Sequence, residues 1–515
     1  MGGEIIKNIF HVAITVTVFS CAERFLGFIY RIYLSRTLGA EGLGIYQIAL
    51  SVLGLFMTIT SSGIPITVSR MMIKYKEEDK QNRINGIVTA GVLCAIALCL
   101  PLTLLVFSKS GFLGFLFSDK RCLPVLTIMI PGLTFTSVYA VIRGTFWGNK
   151  AFLPYSIIEF AEESVMLIAG IILVNGATGV IDGVNKAGYA VLISYLFSFT
   201  VSVIYFFAKG GRLKSPKSEL KPLIKSATPI TAMKTATSLI NTLIAVILPA
   251  RLILFGFSTT DAVAKFGKVF GMAFPLIFMP STLIGSLALV LVPELSSNYY
   301  SKNFKSLKTN IEKALKFAIF ISCLIIPVFL TAGKELGYLL YSDYSVGEYV
   351  VKATATMLPM SIAMISTSML NSLNKEKQTL LSFFSGASVM IICIYFLPPL
   401  IGIDALILGM FLNYTITAII NVILLYKTSR QKFEFLKPLI ICCILVVPSV
   451  IFGTFAKNTL SLYLNESFSA IVCSFLVVCF YFTLTLAFGL LDFVFENKKS
   501  KLQIFKKPNT LNNWN

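Results

Sequence analysis

Long uncharged apolar segments recur along the whole chain, and they constrain its fold more than any other feature. Residues 87–107 and 187–208 are two segments without a single charged side chain. A helix of about twenty such residues crosses the hydrocarbon core of a bilayer. Hydrophobic residues make up 56% of the chain and charged residues only 13%, which excludes a soluble globular protein. We therefore predict an all-α polytopic membrane protein.

The apolar pattern predicts about fourteen transmembrane helices, which we number as spans 1–14 in chain order. Turn-forming or charged residues separate each span from the next. The predicted spans are residues 9–34, 43–72, 86–108, 123–147, 154–174, 188–208, 227–255, 265–295, 315–332, 350–372, 378–397, 402–426, 437–456 and 467–491.

Lysine and arginine residues concentrate on one side of these spans. If the N-terminus is cytoplasmic, 28 of them fall in inner segments and seven in outer segments. Cytoplasmic loops carry such an excess, so both termini are predicted to lie in the cytoplasm and the protein in the cell membrane. The net charge of +20 then faces the anionic inner leaflet. No nucleic-acid partner is needed to explain it.

Short motifs recur at offsets of 224–228 residues, which indicates an internal repeat. The matched positions are Asp119 with Asp343, Pro131 with Pro359, and Asn149 with Asn374. Because six spans separate the two copies, both halves have the same orientation in the membrane. The predicted organisation is a six-helix lobe at 1–208, a basic cytoplasmic linker at 209–225, a second six-helix lobe at 226–430, two extra helices at 431–491 and a basic cytoplasmic tail at 492–515.

Span 1 carries two arginines, Arg24 and Arg31, next to Glu23. Their spacing of seven residues puts both arginines on one helix face, about 10 Å apart along the axis. Charged residues inside a span are candidates for function, and arginine can hold phosphate oxygens through two hydrogen bonds at once. The pair would suit a pyrophosphate. The alternative is that each arginine forms an ion pair with a carboxylate on another helix.

Span 5 carries three glutamates, Glu159, Glu162 and Glu163, whose spacings of three and four put them on one face. Pro154 begins this helix, so Glu162 lies about 12 Å inside it. One interpretation is a site that couples transport to a proton or a sodium ion. The other is that the glutamates balance the arginines of span 1.

Other cationic and helix-breaking residues also fall inside spans. Arg143 and Lys268 are the further cationic candidates for substrate binding, since snorkelling explains the other lysines and arginines near span ends. Proline and glycine interrupt spans 2, 4 and 8, as in helices that rearrange or line a cavity. The interrupting residues are Gly63, Pro65, Pro131, Pro275, Pro280, Gly285 and Pro293.

Several motifs resemble the polysaccharide-export and flippase families of the multidrug/oligosaccharidyl-lipid/polysaccharide superfamily. The first is Gly-Phe-Ile-Tyr before Arg31, which is followed by a turn that contains Gly39, Gly42 and Gly44. Next come Gly-Ile-Pro, which ends at Pro65, and Arg-Gly-Thr-Phe-Trp-Gly, which runs from Arg143 through Gly144 to Gly148 and is followed by Pro154. The last is Val-Pro-Glu, which contains Pro293. The resemblance covers about residues 5–430 and is greatest to the stage V sporulation protein B group of spore-forming bacteria. It implies structural roles for these glycines and prolines.

The resemblance also implies a V-shaped fold of two six-helix lobes around a central cavity, and an undecaprenyl-pyrophosphate-type substrate. It supports Arg24, because relatives have an arginine just before the same Leu-Gly-Phe. Arg31 lies one residue later than the second arginine of the lipid II flippase, which is about 100° of helix rotation. Glu162 matches a glutamate of the family, whereas relatives have glutamine at the position of Glu159. Lys268 lies near a position where relatives carry a cationic or polar residue.

The leading hypothesis is a flippase that moves a lipid-linked oligosaccharide, such as a peptidoglycan precursor for the spore cortex, by alternating access. Its partners would be the lipid-linked sugar, membrane lipid, and a coupling ion or the membrane potential. Cation-coupled multidrug efflux on the same fold is the alternative. A membrane glycosyltransferase is not favoured, because the longest outer loops, 109–122 and 333–349, are too short for such a site. With one histidine and mostly intramembrane cysteines, neither a metal nor a cofactor is expected.

Overall fold

The computed structural model describes residues 2–78, 80–108, 114, 117–429 and 433–488, without the side chains of residues 2–14, 81, 108 and 286–293. All regular secondary structure within these ranges is helical. A helix satisfies its backbone hydrogen bonds within its own segment, which a bilayer requires. The predicted all-α fold class is confirmed.

Nineteen α-helices make up the described chain. They are α1 (Gly2–Ser61), α2 (Ile64–Glu77), α3 (Gln81–Ser108), α4 (Cys122–Met129), α5 (Gly132–Gly148), α6 (Phe152–Asn175), α7 (Val180–Ala208), α8 (Leu220–Leu254), α9 (Thr259–Phe266), α10 (Phe274–Phe278), α11 (Ser281–Tyr300), α12 (Phe304–Tyr341), α13 (Tyr344–Ala353), α14 (Met357–Ser372), α15 (Glu376–Phe396), α16 (Pro398–Ile401), α17 (Asp404–Ser429), α18 (Leu436–Leu460) and α19 (Glu466–Ala487). A π-helical segment, Gly267–Ala273, joins α9 to α10, and a 3₁₀ turn, Thr354–Thr356, joins α13 to α14.

A kink at Gly39 divides α1 into two helices. The backbone of Gly39 has φ of 69° and ψ of −176°, a conformation that glycine adopts at little cost. The turn expected between spans 1 and 2 therefore shrinks to one residue. After the kink, α1 crosses α9 very closely, because a Cβ on Gly44 would lie 2.3 Å from the carbonyl oxygen of Val263.

Spans 2, 4 and 8 are broken, as their prolines and glycines predict. Helix α1 ends before Gly63, and α2 begins with Pro65 in its first turn. At Pro131, α4 and α5 meet with a bend of 44°. The chain also breaks before Pro280, between α10 and α11. Span 8, predicted at 265–295, is accordingly not one continuous helix but consists of the end of α9, the π-helical segment, α10 and most of α11.

The described residues contain ten helical segments long and apolar enough to cross a membrane, or eleven if the bent pair α4–α5 is one span. The 63-residue stretch Thr15–Glu77 counts as one of these ten, although Gly39 kinks it. Helix α6 is 24 residues long but carries the three glutamates of span 5. The chain is a polytopic membrane protein, and the number of fourteen spans stays a prediction.

Local structure recurs at the spacing that the sequence repeat predicts. The Oδ1 atoms of Asp119 and Asp343 each accept a hydrogen bond from the backbone N–H two residues later, at 2.9 and 2.8 Å, and each aspartate precedes a helix. Lys150 and Asn374 are separated by the same 224 residues. Both have a left-handed backbone, with φ of 57° and 58°, which is uncommon outside glycine. Backbone conformation thus supports the repeat where the residue types differ.

The chain divides into two compact units. The first consists of Met1–Ile277, Gly337–Ala353 and Ala387–Asn413, and the second of Phe278–Leu336, Thr354–Gly386 and Tyr414–Asn515. Helices α8 and α9 pack against α1 and so belong to the first unit. In the second unit, α12 supplies much of the core, and Tyr481 of α19 is fully buried against it. These units do not coincide with the predicted lobes 1–208 and 226–430, whose boundaries stay a prediction.

Candidate functional site

Helices α1, α5 and α6 of the first unit carry most of the charged residues that the sequence singles out. Helix α6 packs against α1, α5 and α7. Electrostatic interactions link the charges on these helices into one group, which we call the charged cluster. Its members are Glu23, Arg24, Arg31, Arg143, Glu159, Glu162 and Glu163.

Arg143 and Glu159 form the one close ion pair within the charged cluster. Nη1 of Arg143 lies 3.1 Å from Oε1 of Glu159, and both side chains are mostly buried. The guanidinium also lies 5.4 Å from the ring centre of Trp147, within the range of a cation–π interaction. Its Nε is buried and has no hydrogen-bond partner in the described part of the chain. Arg143 is therefore held by a neighbouring helix while keeping an unused donor.

Arg24 and Arg31 differ from Arg143, because neither has a carboxylate within 4.0 Å among the described residues. Arg24 is exposed and Arg31 is half-buried. Longer-range electrostatic interactions connect Arg24 with Glu23, and Arg31 with Glu163. The sequence left open that Arg24 and Arg31 form ion pairs with carboxylates on another helix. Among the described residues, such a close ion pair is formed by Arg143 instead.

The three glutamates of α6 contact different neighbours. Glu159 pairs with Arg143, and Glu162 lies near Ser198 of α7. Glu163 approaches α1, where its Oε2 lies 3.7 Å from the position that a Cβ on Gly27 would take. This oxygen is buried and accepts no hydrogen bond from the described residues. A buried carboxylate oxygen without a donor can accept a proton or a cation.

Lys268 does not belong to the charged cluster. It lies on the π-helical segment, where its Nζ is 2.7 Å from Oδ2 of Asp343 and donates a hydrogen bond to the hydroxyl of Ser345 at 2.7 Å. Burial alone would raise the pKa of Asp343, but hydrogen bonds from Lys268 and Ser345 outweigh it and hold the pKa below its ordinary value. Lys268 is therefore already engaged by protein groups.

Several motif glycines lie where two helices approach closely. A Cβ on Gly144 would lie 2.6 Å from the carbonyl oxygen of Pro65, and one on Gly148 would lie 3.1 Å from Cβ of Met72. A Cβ on Gly42 would similarly lie 3.1 Å from Val180. Any larger residue would push α2 away from α5, or α1 away from α7.

The two motif prolines on α6 and α11 complete the predicted set. Pro154 is the third residue of α6, where a proline costs no backbone hydrogen bond. Pro293 lies in α11, and its side chain is outside the described residues. The roles of the motif residues and of the charged cluster stay predictions.

Sequence reasoning missed one buried carboxylate. Glu219 lies in the segment predicted as a basic linker, yet its side chain is fully buried. Arg83 donates a hydrogen bond from Nε at 2.7 Å, and the Tyr75 hydroxyl donates another. The available hint was that Glu219 is the one acidic residue of the basic segment 209–225. A charged side chain is rarely buried unless it is paired, and this segment offers no contact that would identify its partner from the sequence.

Proteins of known sequence match this chain over most of its length. The model of the family described as "Polysaccharide biosynthesis protein" matches residues 11–299. Stage V sporulation protein B of Bacillus subtilis (strain 168) is 22% identical over 425 residues, or 79% of this chain and 81% of that protein. Lipid II flippase MurJ of the same organism is 21% identical over 472 residues, or 85% of each chain.

Solved structures share the fold. A structure described as "Lipid II flippase MurJ, inward closed conformation" has a TM-score of 0.69 at 15% identity, over 91% of this chain and 98% of that one. An inward-facing multidrug resistance MATE family transporter of the MOP superfamily has a TM-score of 0.66 at 13% identity, over 82% and 99% of the two chains. At these identities the likeness shows the fold alone.

Proposed function

This chain belongs to the polysaccharide biosynthesis protein family, and we propose that it is a flippase that moves a lipid-linked oligosaccharide across the membrane. The relatives whose names state an activity are flippases or transporters, so the chain is a transporter and not an enzyme. Similarity to a lipid II flippase over 85% of both chains supports a lipid-linked substrate.

The observation that carries the proposal is the pair of arginines on α1, Arg24 and Arg31, neither of which has a carboxylate within 4.0 Å among the described residues. A guanidinium group is always charged in proteins, and a charge in an apolar segment is costly unless an anion or water reaches it. A lipid-linked sugar carries a phosphate or pyrophosphate between lipid and sugar, and guanidinium groups bind such oxygens well. In this mechanism, the two arginines hold the phosphate while Arg143 stays paired with Glu159.

The physical need for such a protein lies in the head group. A sugar is too polar to cross about 30 Å of hydrocarbon unaided, because each unpaired polar group costs several kcal/mol there. The polyprenyl tail can stay in lipid throughout. The protein therefore only needs to offer the head group a hydrated cationic cavity that opens first to one side of the membrane and then to the other. The helix breaks at Gly63, Pro131 and Pro280 provide points where helices can bend during this change.

We further propose that the glutamates of α6 couple transport to a proton or sodium ion. The Oε2 atom of Glu163 is buried and accepts no hydrogen bond from the described residues. Glu162 lies close by on the same helix, near Ser198. Binding of a cation to these carboxylates would change the charge that faces Arg31, and hence the affinity of the cluster for an anionic head group.

The proposed location is the cell membrane, with both termini in the cytoplasm. The lysine and arginine bias supports this orientation. Single cysteines at Thr178 and Ser215, in a variant without the native cysteines, would test it with an impermeant thiol reagent. We expect labelling at residue 178 in intact cells and none at residue 215. The reverse pattern would overturn the orientation.

A reconstituted transport assay tests the main proposal. Liposomes would contain the purified protein and lipid II with a fluorescent head group, and an impermeant reductant would bleach only the outer leaflet. We expect the protein to expose the inner-leaflet fraction to bleaching, whereas an Arg24→Ala variant leaves that fraction protected. Equal bleaching with and without the protein would refute the proposal.

The cargo is proposed to be a peptidoglycan precursor used for the spore cortex, because the chain resembles stage V sporulation protein B over 79% of its length. Deletion of the gene should leave vegetative growth intact, block cortex formation and leave lipid-linked precursor on the cytoplasmic side. A normal cortex in a deletion strain that expresses no paralogue would refute this use. The more general proposal of a polysaccharide flippase would not be affected by that result.

Cation-coupled multidrug efflux is the second candidate. It is favoured by the four glutamates of the charged cluster, since carboxylates attract organic cations, and by the fold shared with MATE transporters. The same liposomes loaded with a fluorescent organic cation would distinguish the two. Efflux of the dye driven by an ion gradient, together with protected lipid II, would favour efflux over the flippase.

A further inference from the structure

A second basic site lies where three helices of the first unit end and a fourth begins. The C-terminal parts of α2, α5 and α7, the first turns of α3 and the turn after α7 enclose a cavity of about 310 Å³. We call it the Lys76 pocket, and its polar lining includes Lys76, Asn85, Asn149 and Lys209. None of the residues proposed for transport lines it. Its volume suits a small charged group rather than a whole sugar lipid.

The two lysines give the pocket an uncompensated positive charge. Nζ of Lys76 lies 2.6 Å from Oδ1 of Asn149 and 3.4 Å from the carbonyl oxygen of Gly148, which are neutral acceptors. Lys209 lies 5.8 Å from the ring centre of Tyr205. The lining residues include no aspartate or glutamate, and neither lysine has a carboxylate within 4.0 Å among the described residues. An anion would complete both interactions.

A nearly buried carboxamide is an independent indication of a ligand. Asn85 is only 9% exposed and lies in the first turns of α3. Its side chain makes no hydrogen bond to any residue that the structure describes. Buried amides are almost always hydrogen-bonded, so the missing partner is expected in the cavity that Asn85 lines. The amide N–H₂ can donate to a phosphate oxygen.

The remaining wall is aromatic and lies at the C-terminal end of the apolar helix α7. Tyr205 packs on Phe146, with ring centres 5.2 Å apart, and Phe206 also lines the pocket. On the same end of α7, Ile204 and Phe207 are 63% and 49% exposed, as expected of side chains that face lipid. Since α7 ends here, we expect the pocket to lie at the level where lipid head groups begin.

We propose that the Lys76 pocket binds a phosphate-bearing head group. Lys76 and Lys209 neutralise its charge, Asn85 donates to one oxygen, and the aromatic wall contacts the ester carbons. Basic pockets between helices at the membrane surface are sites of this kind. The phosphate could belong to a membrane lipid or to a soluble phosphate ester, since both present the same oxygens.

Binding to purified full-length protein in a neutral detergent tests the proposal. One arm titrates short-chain phosphatidylglycerol and the other glycerol 3-phosphate, with titration calorimetry as the readout. We expect saturable binding in at least one arm, and which arm responds identifies the source of the phosphate. Absence of binding in both arms would overturn the proposal.

Variants show whether binding occurs in this pocket. Lys76→Gln with Lys209→Gln, and separately the near-isosteric Asn85→Leu, should each weaken binding about tenfold or more, equivalent to roughly 1.4 kcal/mol. The matched control is Lys74→Gln with Lys217→Gln, which removes two exposed charges outside the lining. Unchanged melting temperatures would establish that the variants fold. Equal affinity of the pocket and control variants would overturn the proposal, whatever the transport activity.

Discussion

Nε of Arg83 lies 2.7 Å from Oε1 of Glu219, so that an arginine at the start of α3 holds a carboxylate that is fully buried. The two residues are 136 positions apart in the sequence. Ser218 adds a hydrogen bond to the same carboxylate at 2.9 Å. These hydrogen bonds therefore hold the segment before α8 against the end of α2 and the start of α3.

We expect Arg83→Gln to lower the melting temperature of the purified protein more than Glu219→Gln does. Loss of the arginine leaves a buried carboxylate without its cation, whereas loss of the carboxylate leaves a neutral amide that can still accept from Tyr75. Lys217→Gln removes a nearby exposed charge and is the matched control. If Glu219→Gln proved the more damaging change, the pair would not be the main constraint on this segment.

Acidification should weaken the same contact. Burial by itself would raise the pKa of Glu219, but hydrogen bonds from Arg83, Tyr75 and Ser218 hold it below its ordinary value. The stabilisation is therefore complete above the ordinary glutamate pKa of about 4.3 and is lost as the pH falls through the lowered value. Melting temperatures measured from pH 7 to pH 3 should converge for the wild type and Glu219→Gln. A constant difference across this range would contradict the pKa argument.

The features that the sequence predicts well are those that depend on local pattern. Apolar length identifies the helices because a continuous apolar segment of about twenty residues satisfies its backbone hydrogen bonds in a bilayer by forming a helix. Proline and glycine predict the breaks at Gly63, Pro131 and Pro280 because their effect on a helix is confined to about one turn. Repeated motifs predict that Asp119 and Asp343 are equivalent positions, and the structure has the same local hydrogen bond at both.

The partners of charged residues could not be predicted in this way. In one interpretation the glutamates of span 5 balance the arginines of span 1, but the close partner of Glu159 is Arg143 on the preceding helix. Lys268 meets Asp343, and Glu219 meets Arg83, through packing of helices distant in the chain. Spacing along one helix shows which residues share a face, but not which helix that face contacts. The spans predict a loop at 35–42, whereas the structure is helical on both sides of Gly39 and turns at that single residue.

The ion pair between Arg143 and Glu159 should show a measurable coupling. Each single change, Arg143→Gln or Glu159→Gln, leaves one mostly buried charge unpaired, and the double variant leaves none. We expect a coupling energy of about 1–2 kcal/mol in a double-mutant cycle of unfolding free energies. Arg83→Gln combined with Glu159→Gln serves as a control pair, because these residues do not contact each other. Strict additivity of the Arg143 and Glu159 changes would exclude an energetic role for the pair.

Substitution of the α1 arginines should separate transport from folding. Arg24→Ala and Arg31→Ala should insert normally, since a span without its charge inserts more easily. Both should abolish flipping of fluorescent lipid II, and Arg24→Lys should restore it poorly because lysine cannot bind phosphate through two parallel hydrogen bonds. Arg212→Ala removes an exposed charge outside the helices and is the control. Full activity of Arg24→Ala at normal abundance would end the phosphate hypothesis for this residue.

Neutralisation of Glu162 should reveal whether α6 couples transport to an ion. A glutamine keeps the shape of the side chain but cannot release a proton or hold a cation with a full charge. In liposomes with an imposed proton or sodium gradient, wild-type flipping should accelerate with the gradient, whereas Glu162→Gln should flip at a rate that the gradient does not change. Glu77→Gln, an exposed glutamate at the end of α2, should behave as the wild type. Glu163 is a second candidate, so the Glu163→Gln variant is measured in the same way. If only Glu163→Gln flips at a rate that the gradient does not change, the coupling site is Glu163 rather than Glu162. If flipping by both variants still depends on the gradient, coupling through these two glutamates of α6 is excluded.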